Sequence, residues 1–181
     1  GGETVTEPET ARLLAVLAVA YPSFEVTRER VALWHTMLAG IDYRLAEQAV
    51  RQHIAQSKWA PTVAEILEAA RETAYGPQLD AGDVWHQLIS AVRRYGNYRL
   101  DEAREALPAA VMQAIDYLGG WREVCMCENE DVMRAHFLRM WETIVAREKR
   151  AELEQLVSGE GPPALPTAKP SRLRSIDGGK S

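Results

Sequence analysis

Cysteine is nearly absent from this chain of 181 residues: Cys125 and Cys127 are its only two, separated by a single residue. That layout suits neither a stabilising disulfide nor a disulfide framework, and it fits a reducing compartment. Long apolar runs are missing as well. No stretch reaches the roughly 18 residues that a membrane-spanning helix needs, and the N-terminus lacks a basic segment followed by an apolar one. A soluble, cytoplasmic protein is expected. A phosphate-cradling loop is also lacking, because Gly159–Gly161 is followed by two prolines and by no Lys with Ser or Thr. ATP hydrolysis by this chain is therefore not expected.

Acidic residues outnumber basic ones, 26 to 21, for a net charge of −5. The balance is uneven along the chain. Residues 159–181 carry four Lys or Arg against Glu160 and Asp177, which leaves 17 basic and 24 acidic residues in the body. Such a body repels a phosphate backbone, so tight nonspecific nucleic-acid binding by the folded part is not expected.

What the chain has in quantity is helix signal, and 46% hydrophobic residues to pack it. Thr6 with Glu9, and Thr62 with Glu65, have the reciprocal spacing that satisfies free backbone donors at a helix start. Thr27, Asp42, Asp80 and Asn129 are further candidate caps. Between these starts, apolar residues recur at helical spacing: Leu13, Leu14, Leu17 and Ala18; Val31, Trp34, Met37 and Leu38; Leu45, Ala49, Val50 and Ile54; Val63, Ile66, Leu67 and Ala70. Tyr21-Pro22, Gly40, Trp59-Ala60-Pro61 and Gly76-Pro77 separate them, and a subdomain boundary is placed at the last.

The second half continues in the same style. Val84, Trp85, Leu88, Ile89 and Val92 make one stripe. A short helix is expected from Leu100 to Ala106, and another opens at Pro108 and closes at Gly119-Gly120, a pair suited to the left-handed backbone of a helix end. The longest helix runs from Glu130 to about Val157 with Val132, Met133, Phe137, Met140, Trp141, Ile144 and Val145 as its stripe, and its last third is expected to be solvated. Beyond Ser158, Pro and Gly accumulate with few large apolar residues, which reads as a disordered basic tail. The predicted fold is all-α: a compact multi-helix bundle of two small helical subdomains, 3–76 and 80–158, with the disordered tail 159–181.

Catalytic chemistry is hard to find. Cys125, Cys127, His86 and His136 could be drawn as a zinc set, but Cys-Met-Cys lacks zinc-knuckle spacing, and two half-buried thiols in a helix are the simpler reading. His35, His53 and His86 lie beside aromatic or apolar residues without an adjacent nucleophile. Glu128, Glu130 and Asp131 are explained by the helix dipole at a helix start. No catalytic residue, cofactor site or metal site is assigned. Core packing accounts for most of the five tryptophans, at 34, 59, 85, 121 and 141. Trp59, in a turn, is the candidate for a partner surface. Val92-Arg93-Arg94 is the compact basic cluster that a DNA-recognition helix would need.

Residues 9–72 resemble the N-terminal domain of the phage loader and inhibitor of the replicative helicase. The resemblance is carried by Leu13-Leu14 leading to Tyr21-Pro22-Ser23-Phe24, by Val31, Leu33-Trp34 and Met37-Leu38, and by Tyr43, Ala49, Ser57-Lys58-Trp59-Ala60-Pro61-Thr62 and Glu65-Ile66. It covers just over a third of the chain. It implies a phage DNA-replication accessory protein in a bacterial host cell that is not an enzyme. Such a protein binds a DnaB-type hexameric helicase, restrains it and delivers it to an origin-bound initiator. In that family a flexible C-terminal segment contacts the helicase, which makes Leu165, Lys169, Arg172, Leu173, Arg174 and Ile176 candidate contacts beside Trp59. The unit at 80–158 departs from the family pattern, and its long helix offers an alternative helicase contact. A sequence-specific DNA-binding replication or regulatory protein is the alternative function.

Overall fold

The computed structural model describes residues 4–161. Within them the chain is helical throughout, with no β-strand, and the all-α expectation holds. A single isolated bridge joins Thr4 to Asp42. The chain divides into two compact units: one holds the sequence up to Ala70 together with that from Leu156 onward, and the other is Arg71–Gln155. The divisions fall inside two helices, so each unit takes part of both.

The first unit begins with α1 (Glu7–Ala20), α2 (Arg28–Leu38), α3 (Tyr43–Gln56) and the first part of α4 (Val63–Tyr75). Local chemistry sets each start. Glu9 N–H reaches Thr6 Oγ1 while the Glu9 carboxylate accepts from Thr6 N–H at 2.8 Å, and Thr62 and Glu65 repeat this at the head of α4 with 2.7 Å. Thr27 and Asp42 cap α2 and α3. Leu13, Leu14, Leu17, Leu38, Ile41, Val50 and Ile66 close the core, and Phe24 meets Trp34 edge-on at 5.9 Å. Burying a side chain of this size stabilises by about 1.5–3 kcal/mol.

The second unit continues with α5 (Ala81–Tyr95), a 3₁₀ turn (Gly96–Tyr98), α6 (Leu100–Ala106), α7 (Ala109–Tyr117), α8 (Trp121–Met126) and most of α9 (Glu130–Ser158). Asp80 and Asn129 provide the expected caps of α5 and α9. Gly119 and Gly120 take φ of +99° and +94°, as expected for the pair that ends α7. Phe137 is fully buried between Trp85 (5.5 Å) and Trp141 (6.2 Å, near-parallel).

Three sequence readings need correction. Val132 does not join the α9 stripe: it is exposed, because Met133, Phe137, Trp141 and Ile144 follow a line one residue round the helix. Cys127 is not helical but ends α8, its thiol donating to Asn129 O. The last third of α9 is not wholly solvated. Glu152 pairs with Arg71 at 2.8 Å and Leu156 is buried in the first unit. Half-buried Lys149 and Glu152 carry the stripe on to Leu156, so apolarity alone lost its trace.

Candidate protein-docking site

The tryptophans separate by exposure. Trp34, Trp85, Trp121 and Trp141 are each 4% exposed, whereas Trp59 is 72% exposed. The backbone that presents it is tightly held. Where α3 ends, Ser57 takes an extended conformation, and its N–H still donates to His53 O at 2.8 Å. Its hydroxyl then bonds the next turn from both sides, accepting from Trp59 N–H and donating to Trp59 O, each at 3.1 Å. His53 Nε2 lies 3.0 Å from Trp59 O, a geometry that requires the proton on Nε2. From the other side, Tyr21 O–H donates to Ser57 O at 2.8 Å, and the Tyr21 ring meets the His53 ring edge-on.

Pro61 cannot continue a helix, so the chain turns there and restarts at the Thr62–Glu65 box. The bonds to Thr62 hold the Glu65 carboxyl below the usual carboxylate range. The result is a large aromatic face fixed by its neighbours and uncovered, with Lys58 Nζ 5.3 Å from the ring centroid. An ordered, exposed Trp is the side chain best suited to anchor a protein partner, because little conformational freedom remains to be lost on binding.

Other apolar surface accompanies it in the first unit. Val16, Val19 and Leu33 are exposed, and α1 carries no charge between Arg12 and its end, so it is apolar on both faces. An open groove of about 730 Å³ lies between α1 and α2, lined by Pro8, Ala11, Val26 and Val31 among others. The sequence reading found Trp59 and missed its supports, His53, Ser57 and Tyr21. Leu165, Lys169, Arg172, Leu173, Arg174 and Ile176 lie outside the described residues.

A fixed aromatic turn between two capped helices is the feature that the family comparison also covers. Residues 6–67 match the N-terminal domain of the phage gene 39 protein, a helicase loader/inhibitor. The match takes in α1, α2, α3, the Trp59 turn and the start of α4, and it overlaps the 9–72 reading. No curated protein and no solved structure matched the chain. The remaining chemistry around this loader/inhibitor-like domain is quiet. Among the described residues no group of three or more His, Cys, Asp or Glu is placed to hold a metal. No helix among them is long and apolar enough to cross a membrane. His35 contacts Thr10 and His86 contacts Gly82 O, and burial pushes the Cys125 thiol up.

Proposed function

We propose that this chain is a non-catalytic phage DNA-replication accessory protein, acting in the cytoplasm of the bacterial host. It binds a DnaB-type hexameric replicative helicase, restrains it and delivers it to an origin-bound initiator. The observation that carries the reading is the match of residues 6–67 to the loader/inhibitor N-terminal domain. The rigid Trp59 turn inside that segment supports it, since a protein that works by gripping another needs a preordered anchor. Gly161, after which the basic tail begins, belongs to the same compact unit as Trp59. A tail bearing Leu165, Lys169, Arg172, Leu173, Arg174 and Ile176 adds a second contact whose effective concentration the first would raise.

Size-exclusion chromatography with the cognate helicase tests this, using the full chain, a form truncated after Gly161 and Trp59→Ala. Co-elution of the full chain with loss of helicase ATPase supports the reading, and the two variants divide the contact between tail and turn. Failure of the full chain to bind in the presence of ATP sinks it. A retarded origin duplex in the same experiment would replace it with the sequence-specific DNA-binding reading.

A further inference from the structure

The second unit carries a surface that the proposed helicase contact leaves unused. Between Asp83 and Asp101 the chain has no acidic residue, while Arg93, Arg94 and Arg99 fall within it, in a protein whose net charge is −5. The structure gathers them around two tyrosines. The Arg94 and Arg99 guanidinium carbons both lie 5.5 Å from the Tyr95 ring centroid. Arg93, Arg94 and Arg99 are exposed, and Tyr98 is 93% exposed.

The turn that presents Tyr98 is pinned rather than loose. Gly96 ends α5 with φ of +57°, and the buried Trp121 indole N–H donates to Gly96 O at 2.8 Å. Arg99 closes the turn by donating to the carbonyls of Arg94 and Tyr95. An open groove of about 380 Å³ adjoins it, lined by His86, Ser90, Arg94, Tyr95 and Leu107 among others.

Helix-end electrostatics account for Arg93 and Arg94 at the C-terminus of α5, and capping accounts for part of Arg99. Neither accounts for a tyrosine held almost fully in solvent beside three arginines and no acid. We propose that the α5–α6 turn is a weak site for single-stranded nucleic acid, with the three guanidiniums on phosphates and Tyr98 stacked on an unpaired base. Exposed aromatics interleaved with arginine fit unstacked bases, whereas a duplex offers no free base face. Asp101, Glu102 and Glu105 on α6 follow directly, which keeps the affinity modest and selects against tight, indiscriminate binding.

Fluorescence anisotropy at low salt, with labelled oligo-thymidine and oligo-uridine, tests the full chain. A salt slope on the order of −2 is expected from three phosphate contacts. Tyr98→Ala should weaken binding about fivefold or more, the lower end of what one stacked base contributes. Arg94→Gln should flatten the slope, and Trp59→Ala, in the other unit, should bind as the parent does. The two oligomers distinguish DNA from RNA as the natural ligand. No binding at low salt, equal binding by Tyr98→Ala, or equal or tighter binding to a duplex or to polyglutamate would overturn the proposal. Circular dichroism of each variant keeps a folding failure from being read as a binding loss.

Discussion

Arg71 and Glu152 meet at 2.8 Å across 81 residues of chain, and the arginine side chain is 4% exposed while the glutamate is 27% exposed. A buried guanidinium deprived of its carboxylate retains its desolvation cost without the compensating bond. Glu152→Ala should lower stability by about 1.5–3 kcal/mol, the range for a hydrogen bond to a charged group. Added salt should change the parent's stability little, because a pair this enclosed is poorly screened. Urea denaturation of both proteins checks this. A midpoint shift within error would show that the pair contributes nothing net.

The seating of the end of α9 in the first unit depends on a missing side chain. A Cβ at Gly40 would lie 2.1 Å from Val157 O and 2.7 Å from Gly159 N, both backbone atoms that cannot swing aside. Gly40→Ala should cost about 1–3 kcal/mol, as overpacking does. Its amide exchange should rise selectively at residues 156–159. Unchanged protection there would mean that Leu156 is seated by other contacts.

Acid should weaken the protein at two helix starts. Hydrogen bonds from Thr6 and Thr62 hold the Glu9 and Glu65 carboxyls below the ordinary carboxylate range. A depressed folded pKa gives stability that is complete above the unfolded value and is lost as pH falls through the folded one. The loss is therefore expected in the window below about 4.3, the unperturbed Glu value. Glu9→Gln and Glu65→Gln together should reduce the acid dependence of the thermal midpoint, and an identical profile for parent and variant would count against the assignment.

Tryptophan emission should report one accessible indole. Four of the five tryptophans are buried and Trp59 is not. Trp59→Phe should shift the emission to the blue and remove most of the iodide-quenchable fraction. Its stability should stay within about 0.5 kcal/mol of the parent, as for other exposed positions. Undiminished quenching in the variant would place another tryptophan in solvent.

How much of this was legible depends on distance along the chain. The Thr6–Glu9 and Thr62–Glu65 boxes, the Asp80 and Asn129 caps and the Gly119-Gly120 break act over a few residues, and sequence spacing displays them directly. Trp59 could be singled out because Pro61 forces a turn where no apolar period continues. Its supports could not. Tyr21 reaches Ser57 across 36 residues, and His53 acts through a ring nitrogen whose partner only the folded turn supplies. Leu156 was missed for a related reason: polar Lys149 and Glu152 interrupt the apolar pattern that leads to it.

Because the first unit holds residues from both sides of Arg71–Gln155, its assembly has an order in time. During synthesis, Gly40 emerges long before Val157, and the intervening segment takes about 4–17 s to make at ordinary translation rates. For that interval the floor of the Leu156 seat and the Gly40 corner stand bare on the nascent chain. The last helical turn to be made is the one that covers them.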